Sequence, residues 1–152
     1  MRLTVHSDFA LRLLMVLAAE PDQLHTIEEI ATRYGISRNH LMKVTQTLVQ
    51  AGFVNSLRGR GGGISLRKPA AEVRLGAVVR ATEDNFHVVE CFDPERNQCI
   101  IAPACGLAGA LREAVDAFLA VLDRHTLADL IGDPARQRRM RRLLAAGVIA
   151  QR

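Results

Sequence analysis

Ser37-Arg-Asn-His-Leu-Met-Lys-Val-Thr-Gln-Thr-Leu-Val-Gln-Ala-Gly52 decides the fold. Leu41, Val44 and Leu48 recur at the spacing of one buried helical face. Ser37 is a natural cap for that helix, and Gly52 suits the left-handed residue that ends it. The first turn is crowded with Ser37, Arg38, Asn39 and His40, and Lys43 and Gln46 follow away from the apolar stripe. Upstream, Thr26-Ile-Glu-Glu29 is a capping box that opens a helix to about Tyr34, with Ile27, Ile30 and Ala31 inward and Gly35 as the turn. An earlier helix is expected from near Asp8, capped by Ser7, with Phe9, Leu13, Val16 and Leu17 as its stripe and Glu20-Pro-Asp as its stop. Downstream, Phe53–Leu57 and Gly63–Arg67 read as two strands around the flexible tip Arg58-Gly-Arg-Gly-Gly.

The remaining chain is helical with one irregular stretch. A fourth helix is expected from about Glu72 to Thr82, with Val73, Ala77 and Val78 as its apolar side. Asn85 to Cys105 holds Pro94, Pro103 and all three cysteines, and reads as a loop. Gly106 to Arg124 is a long amphipathic helix with Leu107, Leu111, Ala114, Val115, Phe118 and Leu122 along one side. Thr126-Leu-Ala-Asp129 restarts a short helix that Gly132-Asp-Pro134 closes, and the Arg-rich tail from Arg136 to Arg152 reads either as an amphipathic helix or as a flexible extension. The expected units are residues 1–80, residues 81–132 and a basic tail, 133–152.

Composition narrows the class of function. With 152 residues, 49% of them hydrophobic and 24% charged, the chain has material for a packed core. Trp is absent and Tyr34 is the single tyrosine, which argues against an aromatic platform for single strands or sugars. No apolar run approaches the roughly 18 residues of a membrane span, and the start lacks the apolar stretch of a signal peptide. A cytoplasmic protein with no membrane partner is expected. The net charge of +4 is unevenly spread. Residues 1–80 carry 11 Lys/Arg against 6 Asp/Glu, residues 81–132 carry 3 against 9, and residues 133–152 carry 6 against 1. The front and tail suit a polyanion, and the middle does not.

Helix, turn, helix and hairpin in that order describe a mainly α winged helix-turn-helix domain. The third helix fits the major groove, which is about 12 Å wide. Ser37, Arg38, Asn39, His40, Lys43 and Gln46 would meet bases and phosphates of double-stranded promoter DNA. Arg58 and Arg60, set among glycines, suit a narrow minor groove. Solvated helix faces are common, but the ordered set of capping box, glycine turn, polar first turn and Arg-Gly wing is more specific than any one residue. No glycine-rich phosphate loop stands between strand and helix, and no histidine is spaced to serve a nucleophile, so an enzyme is not expected.

Cys91, Cys99 and Cys105 share one loop. An odd number of thiols is a poor disulfide framework, and their spacing is wider than the Cys-x-x-Cys of a zinc ribbon. Thiolates on a loop can hold a soft metal or an iron–sulfur cluster. With no fourth cysteine, the remaining donor could be His87, Glu90 or Asp93 nearby, or His6, Asp8 or His125 at a distance. The plainer alternative is that some of these cysteines are small buried apolar residues.

These residues together resemble the iron–sulfur winged-helix repressors, the family that contains NsrR and IscR. The resemblance covers nearly all of residues 1–132. It rests on Met1-Arg-Leu-Thr-Val-His-Ser-Asp-Phe-Ala-Leu-Arg12, on Asn39-His-Leu-Met-Lys-Val44, on Leu48-Val-Gln-Ala-Gly-Phe-Val54, on the wing Arg58-Gly-Arg-Gly-Gly-Gly-Ile-Ser-Leu66, and on Cys91, Cys99 and Pro103-Ala-Cys105. The stretches through Asp8 and Asn39 are most similar to the NsrR subgroup. The interval from Cys91 to Cys99 is longer than that family usually shows, and the Arg-rich tail is not part of its pattern.

The resemblance implies a homodimeric transcriptional repressor with one cluster per subunit, a 4Fe-4S rather than a 2Fe-2S centre. Cys91, Cys99 and Cys105 would be ligands, with Asp8 from the partner's first helix as the fourth. The helix over 106–124 would be the dimer contact. Nitric oxide would nitrosylate the cluster and release the promoter. A regulator responding to redox or iron–sulfur status, as IscR does, and a thiol or zinc sensor are the alternatives.

Overall fold

The computed structural model describes residues 2–147. Among these residues, seven α-helices and one hairpin follow in order: α1 (Val5–Ala19), α2 (Ile27–Tyr34), α3 (Arg38–Gln50), β1 (Val54–Leu57), β2 (Gly63–Leu66), α4 (Leu75–Thr82), α5 (Gly106–Arg124), α6 (Leu127–Ile131) and α7 (Pro134–Ala145). The expected mainly α winged helix-turn-helix is present. The two strands are antiparallel, with Val54 opposite Leu66 and Leu57 opposite Gly63.

α1 is the central element, because α3, α4, α6, α7 and β2 all pack on it. That explains its wide buried surface: Ala10, Leu13, Leu14, Val16, Leu17, Ala18 and Ala19, rather than a single stripe. Each such leucine contributes about 1.5–3 kcal/mol by leaving water. The helix starts earlier than Ser7 predicts. Thr4 is its cap, accepting from the Ser7 N–H at 3.2 Å. Ser7 is buried instead, and its hydroxyl meets that of Thr82 at 2.8 Å, tying α1 to α4.

Half of the capping box at α2 forms. The Thr26 hydroxyl accepts from the Glu29 N–H at 3.1 Å, but the Glu29 carboxylate turns to Arg33, one turn on, and to His25. A reciprocal box forms at α6: Thr126 N–H donates to the Asp129 carboxylate at 2.7 Å, and Asp129 N–H donates to the Thr126 hydroxyl at 3.3 Å. These bonds to Thr126, from backbone and hydroxyl, hold the Asp129 carboxyl below its ordinary range. Asp133 caps α7 and is lowered likewise by the N–H groups of Arg136 and Ala135.

α4 begins at Leu75, later than expected, because the chain before it is bonded elsewhere. Leu127 N–H donates to the Val73 carbonyl at 2.8 Å, and Leu75 N–H to the His125 carbonyl at 3.0 Å. This extended bridge draws the approach to α6 alongside Val73–Leu75 and leaves only a 3-10 turn at Ala70–Glu72. Val73 is buried ahead of the helix, and Ala77 faces outward. α4 and α5 lie close at Gly76, where a Cβ would strike the Asp123 carboxylate. Arg80 grips that carboxylate with two bonds of 2.6 and 2.7 Å, and this hydrogen bonding lowers the Asp123 carboxyl.

The main core runs from α1 through α3 and the wing to α6 and Leu144 of α7. A second, smaller cluster joins Val79 of α4 to Val115 and Leu119 of α5, with Leu3, Phe86, Val88, Phe92, Phe118 and Leu122 around it. α5 occupies the expected range, but its faces differ from the sequence pattern. Ala108, Val115 and Leu119 are buried, whereas Leu107 and Ala114 are exposed. Within the Arg-rich tail, Pro134–Ala145 is helical and docked; residues 148–152 lie outside the described residues.

Candidate nucleic-acid interface and thiol loop

α3 presents one polar face and buries the other. Leu41, Val44, Thr45 and Leu48 face the core, with the Thr45 hydroxyl donating to the Leu41 carbonyl at 2.8 Å. Ser37, Arg38, Asn39, Lys43 and Gln46 are exposed on the other side. Ser37 stands at the cap position without a side-chain cap bond. Arg38 pairs with Glu28 at 2.9 Å, both ends in solvent, a link that is weak and easily exchanged for a phosphate. His40 is placed differently. It is half-buried, its ring edge-on to Phe9 of α1 at 4.8 Å and tilted against His6 at 6.2 Å. His6 in turn meets the Thr47 hydroxyl at 3.1 Å. These contacts seat α3 on α1. Met42 is exposed between the polar residues. A search for polar donors passes over it, although apolar side chains read the thymine methyl.

Arg58 and Arg60 are both exposed on the wing. Its tip requires glycine twice over. Gly61 has φ +77°, and a Cβ on Gly62 would overlap the Leu57 carbonyl. The base of the wing is fixed by an element the sequence reading overlooked. His25 N–H donates to the Ile64 carbonyl at 3.1 Å and Ile64 N–H returns to His25 at 2.8 Å. The His25 ring is wholly buried between Glu20 (3.3 Å) and Glu29 (3.4 Å), and Arg33 also pairs with Glu20 at 2.9 Å. The signal was present as two glutamates and an arginine around a histidine in a short interval, but only the folded chain brings them together.

The thiol loop joins α4 to α5. Cys91 lies in a 3-10 turn at Glu90–Phe92, Cys99 follows an Asn97 turn, and Cys105 is the cap residue of α5 after the turn at Ala102–Ala104. All three are free thiols and half-buried. The loop is held mainly at its start, where Phe86, Val88 and Phe92 meet the smaller core and Arg112 lies over the Phe92 ring at 5.0 Å. Beyond Cys99 it is open, with Ile100 94% exposed and Ile101 60%. Asp8, half-exposed, pairs with Arg12 at 2.7 Å. His87 stands 3.9 Å from Asp93. Among the described residues, no three His, Cys, Asp or Glu side chains are grouped to hold a metal ion. The chain therefore brings the three cysteines onto one loop without assembling them.

The Rrf2 family model, described as an iron-dependent transcriptional regulator, matches residues 3–133. The chain belongs to the Rrf2 family. It is 53% identical over 132 residues to the HTH-type transcriptional regulator NsrR of Bacillus subtilis, covering 86% of this chain and 90% of that one. Among solved structures, it is similar to oxidized CymR of Staphylococcus aureus at 26% identity and a TM-score of 0.69, covering 88% and 98% of the two chains. It shares its fold with IscR of T. potens at 22% identity and a TM-score of 0.67, covering 86% of each. Rrf2 proteins are transcription regulators rather than enzymes, as the sequence led us to expect. The Rrf2 match ends one residue before α7 begins. No helix among the described residues is long and apolar enough to cross a membrane.

Proposed function

We propose that this Rrf2 regulator is a homodimeric repressor whose hold on promoter DNA depends on an iron–sulfur centre and ends when nitric oxide reaches it. Within each subunit, Asn39, Lys43 and Gln46 face base edges; Ser37, Arg38 and the wing residues Arg58 and Arg60 hold phosphates or enter the minor groove. His40 acts at the margin, through its seat on Phe9. The working units are residues 1–80 for DNA, 81–132 for sensing and pairing, and 133–152 as a basic addition.

The observation that carries the reading is the set of three free, half-buried thiols in the one loop that leads from the DNA-binding unit into α5. Their chemistry fits the group. Thiolates are the preferred donors for iron–sulfur centres. Cys105 sits at the cap position of the 19-residue α5, next to first-turn N–H groups that have no side-chain cap. Cys91, Cys99 and Cys105 would hold a 4Fe-4S rather than a 2Fe-2S centre, with Asp8 of the partner subunit as the fourth donor. When bound, such a centre supplies iron that nitric oxide can attack. The protein's part is mechanical. While the thiolates are held, the 91–105 loop is pinned against α1 and α5, and that fixes the spacing of the two α3 helices on a palindromic site. Once they are freed, the loop relaxes and the spacing is lost.

Dimerisation by α5 is supported by its outer surface. Leu107, Ala110, Ala114, Ala117 and Val121 are exposed at alternating three- and four-residue steps, the spacing of a helix seam. A hundredfold change in DNA affinity needs about 2.7 kcal/mol of coupling, within the usual range for allosteric proteins.

The test is anaerobic purification followed by iron and sulfide analysis, visible absorption and promoter binding before and after nitric oxide. Iron, sulfide and nitric-oxide-sensitive binding are expected. Binding that tracks cluster content but ignores nitric oxide would favour a redox or iron–sulfur-status sensor. Colourless protein that still binds and releases DNA would favour thiol or zinc sensing and overturn the proposal.

A further inference from the structure

α7 lies beyond the Rrf2 match and is unlike the rest of the chain. Its twelve residues, PARQRRMRRLLA, include Arg136, Arg138, Arg139, Arg141 and Arg142 and no carboxylate. None of these arginines is in an ion pair among the described residues. One side of the helix is explained by packing. Leu144 is buried, Met140 is partly buried against the main core, and Gln137 and Arg141 donate to the Ala19 carbonyl at 3.0 and 2.5 Å. Those two bonds satisfy a carbonyl left open at the end of α1.

The other side has no such use. Arg138, Arg139 and Arg142 stand at i, i+1 and i+4, on the exposed face of a docked helix. Like charges at the i, i+3 and i, i+4 spacings repel and weaken a helix. The C-terminal dipole favours Arg142 but does nothing for Arg138 and Arg139. A face of this kind, held in place by apolar contacts on its back, is complementary to a regular line of negative charge.

The surroundings indicate which line. The end of α7 forms a groove of about 360 Å³ with Arg12, Arg33 and Tyr34, lined also by Met140, Leu143 and Leu144. Arg12 and Arg33 are paired with carboxylates, and burial raises the Tyr34 hydroxyl above its ordinary range. The Arg12 guanidinium lies 5.9 Å from the rings of both Tyr34 and Phe9, and Phe9 touches His40 on the first turn of α3. From the groove beside α7, Arg12 and then Phe9 lead to His40 on the first turn of α3.

We propose that α7 is a second duplex-binding element, in which Arg138, Arg139 and Arg142 hold the phosphate backbone of DNA flanking the site read by α3. This rests on the reading of the chain as a duplex-DNA binder. The contact is to phosphate and carries no base preference, so it extends the bound length and strengthens binding to every sequence alike.

The test uses the full chain, a random-sequence duplex several helical turns long, and a salt series from about 50 to 200 mM. The variants are the triple R138A/R139A/R142A, the same three positions changed to lysine, and R58A/R60A in the wing. The alanine triple should reduce the slope of log affinity against log salt by about 2–3, at about 0.9 per lost phosphate contact, and lower affinity at least tenfold at about 0.1 M salt. The lysine triple should restore most of both, which separates charge from any disturbance of the helix. A triple with unchanged slope and affinity overturns the proposal, while a weakened wing variant still upholds DNA binding. If the unaltered protein shows no salt-dependent binding, the DNA reading fails and this proposal with it. Loss of binding to vesicles of anionic lipid, with the duplex slope unchanged, would assign the face to a membrane surface and overturn it as well.

Discussion

α3 and the loop over 85–105 carry the two kinds of chemistry in this chain, and they are built in opposite ways. α3 displays its polar residues from a rigid backbone whose other side is sealed against α1 by Leu41, Val44 and Leu48. The loop carries its thiols on short 3-10 turns, fixed near its start by Phe86, Val88 and Phe92 and nearly free of contacts around Ile100. The first arrangement is finished within one subunit. The second carries three thiols and exposed apolar residues that no contact among the described residues gathers or covers. Under the proposed function this difference is useful, because α3 would keep its shape on DNA while the loop changed.

The largest expected effect lies in the rigid half. Leu41→Ala removes a fully buried side chain between α3 and α1 and should cost about 2–5 kcal/mol of folding stability. Urea unfolding of the apo-protein measures it. A loss below about 1 kcal/mol would mean that α3 is not held as rigidly as its burial indicates.

Cys105→Ser tests the unfinished half. It removes one sulfur donor and leaves the start of α5 otherwise intact. Iron content and visible absorption of the anaerobic protein should fall to background, and promoter affinity by about a hundredfold, or about 2.7 kcal/mol. Unfolding of the apo-protein should be unchanged or shifted toward greater stability by up to about 1 kcal/mol, because serine can cap α5. Full iron content in this variant would remove Cys105 from the ligand set.

Asn39→Ala comes third. Asn39 is exposed on the first turn of α3 and has no partner there that folding would miss. Its loss should reduce specific promoter affinity by about 1–3 kcal/mol, with little change in binding to random duplex. Equal losses on both duplexes would make it a phosphate contact. Competition binding in fixed salt distinguishes the two.

The same contrast explains what could be read in advance. The helices announced themselves through period, caps and glycines, and α5 has the bounds its pattern predicts. The errors came where a side chain had two possible uses. Glu29 could close the capping box at Thr26 or pair with Arg33, and the ion pair one turn away prevailed. Ser7 could cap α1 or bond Thr82 across the core, and Thr4 left it free for the second. On α5, apolar periodicity marked two faces at once, one against α4 and one exposed along Leu107, Ala114 and Val121, and a single sequence does not rank them. The thiol loop has no period at all. Its cysteines stand out as candidate donors by their chemistry, but no grouping is written in their spacing, and among the described residues none is formed.

The smallest expected effect falls on the most exposed apolar residue. Ile100 follows Cys99 directly and is 94% exposed, so it contributes almost nothing to the fold of one subunit. Ile100→Ser should leave unfolding of the apo-protein within about 0.5 kcal/mol of the parent. A side chain of this kind is costly to leave in water without purpose, and its neighbours Ile101 and Leu107 (65% exposed) share the same surroundings at the start of α5. If that patch is covered when two subunits meet, the serine variant should dissociate at higher concentration in sedimentation equilibrium, with folding unaffected. If dissociation is unchanged, the loop stands apart from the dimer contact, and pairing rests on the outer face of α5 alone. The contrast between the rigid and the unfinished half then narrows to the thiols themselves.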